Sequence, residues 1–211
     1  MFYHNINPVL LEIGPLQIRY YGLFWAAGFI IAYFLICHLA KVKHLPLAKE
    51  DVSDFLVYEI VGVVLGARFI YVLFYNLPFY FGNPLEIFAL WHGGLSFHGG
   101  LAGAVIAGYL FCKKKKIEFY DLADIAVIPV ALALVLGRLG NLANAELYGR
   151  ITNVPWCVDY SKSQFAEVPS GCRHPSQVYA SVKNFIIFAA LWSIKDKKLP
   201  KGLMFWSFVA L

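Results

Sequence analysis

The chain has 211 residues, of which 60% are hydrophobic and 15% are charged, and its formal net charge is +5. Soluble domains carry about 25% charged residues, and a chain this short cannot bury so much apolar surface in one soluble core. The composition therefore excludes a soluble globular protein and indicates a polytopic membrane protein.

The apolar residues fall into blocks of membrane-spanning length. About twenty consecutive apolar residues cross the hydrocarbon core as a helix. Five blocks reach that length: Tyr20–Leu39, Phe55–Tyr75, Gly94–Cys112, Phe119–Leu142 and Ser176–Ile194. The first block is expected to span and not to be a cleaved signal peptide, because Met1–Leu11 lacks the basic residues of such a leader.

A sixth apolar block begins at Gly202 and stops at Leu211, after about half the length of a span. We therefore expect either that the chain continues beyond Leu211 or that it is a fragment. The predicted fold is all-α, with five full spans plus a truncated sixth. These spans form a single integral membrane domain over residues 1–211.

Lysines cluster in alternate connections between these blocks. Eleven of the 18 basic residues lie in three connections, as Lys41, Lys43, Lys49, Lys113–Lys116, Lys195, Lys197, Lys198 and Lys201. The positive-inside rule then predicts that the N-terminus lies outside and that these connections are cytoplasmic. Residues 143–175 would form an outward-facing loop region of a multi-pass plasma (inner) membrane protein.

The lysine run 113–116 has two interpretations. It can set the topology and contact anionic lipids, or it can be a solvated charge run with no further role. Nucleic acid is not an expected partner.

Polar residues converge on the outward-facing leaflet in this topology. They come from five separate blocks: Tyr21, Arg68, His98, Arg138, Asn141 and Lys183. An ionisable residue inside the membrane is energetically costly, so a functional role is its default interpretation. Two structural alternatives stay open, because Arg138 can snorkel to the interface and Arg68 can pair with Glu59 or Asp124.

A glycine-rich stretch, H-G-G-L-S-F-H-G-G, occupies residues 92–100. Glycine disfavours helix, so we expect irregular backbone before the third span. Backbone amides there can cradle an anion, or the small residues of Gly99-xxx-Gly103 and Gly62-xxx-Gly66 can permit close helix packing. Six residues separate His92 from His98, which does not suit a metal site.

A second polar stretch, residues 137–150, begins with G-R-L-G-N. Arginine suits bidentate contact with phosphate, and a phospholipid head group is the abundant anion at that depth. Arg138 and Arg68 therefore predict a membrane-embedded site for an anionic lipid, where His98 can transfer a proton.

These motifs also resemble a known family, the bacterial prolipoprotein diacylglyceryl transferases. The resemblance is carried by residues 93–103, residues 137–150, H-P-S-Q-V-Y at 174–179, Y-Y-G at 20–22 and G-A-R at 66–68. It implies transfer of the diacylglyceryl group of phosphatidylglycerol to the lipobox cysteine of a prolipoprotein signal peptide, forming a thioether and releasing glycerol phosphate. It implies no cofactor.

The same resemblance implies roles for individual residues. His98 matches the family's proposed base, and Arg138 matches its essential arginine near the phosphate. Other functional positions of the family match Tyr21, Asn141 and Gly149. The predicted lipid-binding set is completed by Arg68, Gly99 and Glu146. The family's last span also carries a further functional arginine and a glutamate, and this sequence ends before those positions.

Two other classes stay open. An anion transporter or channel also places arginines and broken helices inside the membrane, although the two halves of the sequence show no inverted repeat. The second class is a non-catalytic lipid-binding relative of the family.

The four cysteines are expected to play different parts. Cys157 and Cys172 share the outer loop, where an oxidising compartment would permit a disulfide. Cys37 and Cys112 are expected to be packing residues.

Overall fold

A computed structural model describes residues 2–14, 16–163 and 170–211, which are mostly helical. The helices are α1 (Tyr20–Val42), α2 (Lys49–Phe74), α3 (Leu77–Gly82), α4 (Phe97–Lys115), α5 (Phe119–Ala143), α6 (Ser176–Ile194) and α7 (Leu203–Ala210). Two 3₁₀ turns, Pro84–Phe88 and Leu90–His92, lie between α3 and α4.

Four of the described helices, α1, α2, α5 and α6, are long and apolar enough to cross a membrane. They correspond to four of the five full spans predicted from the sequence, so a helical protein suited to the membrane is confirmed. The remaining predicted span forms α4, which is helical but less apolar because it contains several glycines and ends in Lys113–Lys115. The number of spans and their orientation stay predictions.

The start of α2 differs from the prediction by six residues. The apolar block predicted a start near Phe55, whereas the helix begins at Lys49. The carboxylate of Asp51 accepts a hydrogen bond from the amide of Ala48 at 2.8 Å and pairs with Lys115. A carboxylate in the first turn stabilises the N-terminal end of a helix, so the charged residues extend it beyond its apolar segment.

The chain divides into two compact units. The first unit comprises residues 1–39 and 124–211, and the second comprises residues 40–123. The helices of the first unit pack around buried apolar side chains such as Ile36, Leu39, Ile128 and Leu191.

Two small sheets belong to the first unit. Strands β2 (Val9–Ile13) and β3 (Leu16–Arg19) form an antiparallel hairpin. In the other sheet, β1 (Phe2–Tyr3) pairs in parallel with β4 (Val158–Asp159), which pairs antiparallel with β5 (Cys172–Arg173). A disulfide joins Cys157 to Cys172, with their Cα atoms 5.4 Å apart.

The second unit is built on close packing of α2 against α4. A Cβ atom at Gly66 would lie 2.8 Å from the Cα of Gly103 and would collide with the carbonyl oxygen of Gly99. A Cβ at Gly62 would lie 2.5 Å from that of Ala107. The close packing predicted from the two glycine pairs is confirmed, because only glycines allow the two backbones to approach this closely.

Candidate active site

Arg138 lies near the C-terminal end of α5 and is half-buried. It makes no hydrogen bond or ion pair within the described part of its unit. Asn141 follows three residues later and therefore lies on the same side of the helix. A guanidinium with five uncommitted donors is suited to bind an anion that arrives from outside the protein.

Glycines bring α1 directly against this end of α5. A Cβ atom at Gly140 would lie 2.8 Å from Cδ2 of Tyr21, and one at Gly137 would lie 3.3 Å from Cζ2 of Trp25. The ring of Tyr21 therefore rests on the α5 backbone next to Asn141. Tyr21, predicted from one motif, is brought together with Arg138 and Asn141, predicted from another, at one end of the first unit.

Glu146 follows α5 in a tight turn, where its carboxylate is held by two amides. Nδ2 of Asn141 donates to Oε2 at 3.1 Å, and Nδ2 of Asn144 donates to Oε1 at 3.1 Å. Its neighbours Ala145 and Leu147 have φ angles of 55° and 53°. Such left-handed backbone costs about 1–3 kcal/mol per non-glycine residue and persists where surrounding contacts enforce it. Asn144 was not singled out from the sequence.

Gly149 lies in the same unit but plays a backbone role. Its amide donates to the carbonyl oxygen of His174 at 2.9 Å. A Cβ atom there would lie 2.8 Å from that same oxygen. Glycine is therefore required for the loop to approach the segment that leads into α6.

His98 lies in the second unit, in the first turn of α4. The helix is capped by Ser96, whose hydroxyl accepts from the amide of Gly99 at 3.3 Å and whose own amide donates to Ala67 at 3.0 Å. The imidazole of His98 is exposed and has no hydrogen-bond partner in the described part of its unit. Both ring nitrogens are therefore available to a substrate. Gly99 is buried and packs on α2.

Arg68 is buried, with 5% of its surface exposed, and its donors are committed. Its five N–H groups reach five backbone carbonyl oxygens at 2.5–3.2 Å: those of Glu86, Ile87, Ala89, Gly93 and Gly94. Its guanidinium also lies 5.1 Å from the ring centre of Tyr80. This geometry assigns Arg68 a structural role in holding residues 86–94; its predicted role in lipid binding stays a prediction.

The carboxylates proposed as partners of Arg68 are not among its contacts. The N–H groups of Arg68 all go to carbonyls, which leaves none for Glu59. Asp124 accepts from the amides of Gly202 and Phe205 at 2.8 Å each and so caps the start of α7. The glycine-rich stretch is irregular at residues 93–96, as predicted, with φ angles of 78° and 77° at Gly93 and Gly94.

The described part of the chain contains no group of three or more His, Cys, Asp or Glu side chains placed to hold a metal ion. The first unit offers a free arginine and a fixed carboxylate, and the second unit offers an accessible imidazole. These groups can bind an anion and transfer a proton.

Comparison with known proteins agrees with this chemistry. Residues 8–211 match the family described as prolipoprotein diacylglyceryl transferase. The phosphatidylglycerol–prolipoprotein diacylglyceryl transferase of Geobacter sulfurreducens is 44% identical over 211 residues, which cover 100% of this chain and 79% of that protein. Those of Desulfotalea psychrophila and Bordetella parapertussis are 40% and 43% identical, covering 91% and 95% of this chain and 69% and 76% of theirs. The chain belongs to the prolipoprotein diacylglyceryl transferase family.

Proposed function

We propose that this protein transfers the diacylglyceryl group of phosphatidylglycerol to the lipobox cysteine thiol of a prolipoprotein. The observation that carries the proposal is Arg138, a half-buried arginine without an internal partner in the described part of its unit, in a chain of this family. It has the charge and geometry that a phosphodiester requires.

Arg138 acts on the phosphate. A guanidinium donates two parallel hydrogen bonds to a phosphate, and it stabilises the negative charge that develops as the phosphate leaves. Asn141, on the same side of α5, and Glu146, which is hydrogen-bonded to Asn141, offer an amide and a carboxylate to the hydroxyls of the glycerol head group. Tyr21 adds a hydroxyl from α1.

The reaction is a displacement at carbon. The thiol sulfur forms a bond to the terminal glyceryl carbon, while the bond from that carbon to the phosphate oxygen breaks. Glycerol phosphate leaves with the bonding electron pair, and His98 takes the thiol proton. A base near the thiol matters because the thiolate is the effective nucleophile, and the exposed, unpaired imidazole of His98 is suited to that role.

The site faces the outer leaflet of the plasma membrane in this proposal. The lysine-rich connections support it, since they place the N-terminus outside by the positive-inside rule. Arg138 near the end of α5 and His98 near the start of α4 are then both at the outward side. Phosphatidylglycerol enters laterally, and the precursor's signal helix offers its cysteine from the same leaflet.

The test uses the purified protein in detergent with phosphatidylglycerol and a synthetic lipobox peptide, read by mass spectrometry. We expect a diacylglyceryl mass on the peptide's cysteine and its loss in Arg138→Ala. Lys183→Ala is the matched control, because it removes a cation of α6 that contacts only the carbonyl oxygen of Leu211 in the described structure.

Each alternative predicts a different result. Phosphatidylglycerol binding without transfer by the wild type would favour the non-catalytic lipid-binding class. Anion flux in proteoliposomes without transfer would favour the transporter class. Full activity of Arg138→Ala at normal expression would defeat the assignment of this residue.

A further inference from the structure

The strained turn that carries Glu146 is held from outside by side-chain donors. Three of its carbonyl oxygens accept such a hydrogen bond: Leu142 from Nε2 of His4 at 2.7 Å, Glu146 from Nε2 of Gln177 at 2.6 Å, and Leu147 from the hydroxyl of Ser176 at 2.5 Å. Two left-handed residues, Ala145 and Leu147, flank the central carbonyl. The turn therefore depends on distant parts of the chain for its shape.

Gln177 is the central donor, and Tyr160 determines its orientation. The hydroxyl of Tyr160 donates to Oε1 of Gln177 at 3.1 Å, which leaves Nε2 facing the carbonyl of Glu146. The opposite amide orientation would place two oxygens against each other. Gln177 is 1% exposed and Tyr160 is fully buried. Burial raises the pKa of the Tyr160 hydroxyl, so at neutral pH it stays protonated and can donate.

Tyr160 is itself fixed by the small sheet of the first unit. It follows β4 directly, and its ring lies between those of His4, at 5.3 Å, and Tyr148, at 5.6 Å. His4 follows β1, which pairs with β4. The sheet thus places a donor at Leu142 and, through Gln177, another at Glu146.

We propose that Tyr160 and Gln177 are positioning residues for the transfer reaction, a role that rests on the function proposed above. They fix the carbonyl of Glu146 and so keep its carboxylate between the amides of Asn141 and Asn144. Neither residue touches the reacting atoms. Because a small displacement of a group that orients the substrate slows the reaction more than it weakens ground-state binding, their loss lowers kcat and leaves KM for phosphatidylglycerol nearly unchanged.

The variant Tyr160→Phe tests this proposal, since it removes one hydroxyl and keeps the stacked ring. We expect kcat to fall about tenfold, the equivalent of one lost buried hydrogen bond, with KM changed less than twofold. Gln177→Glu keeps the shape and the acceptor for Tyr160 but removes the donor to Glu146, and we expect kcat to fall roughly a hundredfold. Tyr109→Phe is the matched control, because that side chain is 56% exposed and its hydroxyl has no partner in the described part of its unit.

Hydrogen exchange provides a readout that does not need activity. In Tyr160→Phe, amide exchange should rise in the peptide covering residues 141–148 and stay unchanged in α1 and α6. Unchanged exchange in that peptide, unchanged kcat, or faster exchange throughout the unit would each overturn the positioning role. If the wild-type protein transfers nothing, the proposed function fails, whereas the exchange experiment still decides whether Tyr160 braces the turn.

Discussion

Asn141 and Glu146 are joined by two hydrogen bonds, one from side chain to side chain and one between backbones. Nδ2 of Asn141 donates to the Glu146 carboxylate at 3.1 Å, and the amide of Glu146 donates to the carbonyl of Asn141 at 2.9 Å. These two hydrogen bonds therefore fix Glu146 to the C-terminal end of α5. The carboxylate is exposed, and the donors that hold it are the side-chain amides of Asn141 and Asn144.

Replacing Asn141 with Asp should abolish most activity at neutral pH. Two carboxylates would then stand within hydrogen-bond distance, where like charges cannot both be accommodated without strong repulsion. We expect transfer to fall at least about a hundredfold, an energy of roughly 3 kcal/mol. Relative to the wild type at the same pH, the activity of Asn141→Asp should recover in part as the pH falls from 8 to 5, because one shared proton restores a hydrogen bond between the two carboxyl groups.

The pH profile of initial transfer rates checks this prediction. Asn7→Asp is the matched control, since the Asn7 side chain only accepts a hydrogen bond from the amide of Val9 at 2.9 Å and an aspartate retains that acceptor. A flat loss of activity at every pH would contradict the shared-proton explanation.

Arg68→Lys should destabilise the second unit although lysine keeps the positive charge. Lysine has three donors in place of five and lacks the planar fork, so at least two of the five carbonyls lose their partner. At about 1–3 kcal/mol for each, we expect the free energy of unfolding to fall by roughly 2–6 kcal/mol. Exchange of amides in residues 84–96 should rise with it.

The same variant separates the two roles considered for Arg68. If the side chain bound phosphate directly, Arg68→Lys would raise KM for phosphatidylglycerol and leave amide exchange as in the wild type. The structural role predicts instead that Arg68→Lys raises amide exchange in residues 84–96 and leaves KM for phosphatidylglycerol unchanged.

The sequence could predict the helices because hydropathy is a property of each segment alone. The blocks at Tyr20–Leu39 and Phe119–Leu142 differ from α1 and α5 by at most three residues at one end. The close approach of α2 and α4 was also predictable, since small residues at Gly62, Gly66, Gly99 and Gly103 recur at helical spacing.

The partners of individual polar side chains were not predictable in the same way. Arg68 binds backbone carbonyls, and every residue has a carbonyl, so no sequence pattern marks those acceptors. Tyr160 reaches Gln177 through a sheet whose strands are only two residues long. Short strands carry too little alternation to be recognised. H-P-S-Q drew attention to Gln177 as a motif, but its bond to Glu146 depends on tertiary structure.

Gly66→Ala should disrupt the packing of α2 on α4. The new methyl group would lie 2.8 Å from the Cα of Gly103 and would collide with the carbonyl of Gly99, and both are backbone atoms that cannot rotate away. Overpacking of this kind costs about 1–3 kcal/mol, which we expect to see as a lower melting temperature in detergent. Gly82→Ala is the control, because nothing lies within 4 Å of its added Cβ. Equal melting temperatures for the two variants would contradict this prediction, because α2 and α4 could then move apart without a loss of stability.

The disulfide between Cys157 and Cys172 should stabilise the small sheet that holds Tyr160. It links positions 15 residues apart, and closing a loop of that length stabilises a fold by about 3 kcal/mol, chiefly by restricting the unfolded chain. The double variant Cys157→Ser/Cys172→Ser should therefore melt at a lower temperature and show faster exchange in residues 157–160. Reductant should lower the melting temperature of the wild type and leave that of the double variant unchanged, because Cys37 and Cys112 are free thiols. Mass spectrometry of alkylated cysteines would show whether the reductant has opened the disulfide. If two cysteines become newly alkylated while the melting temperature and the amide exchange of the wild type stay unchanged, the sheet does not need the covalent link. Tyr160 would then be held by ring packing alone.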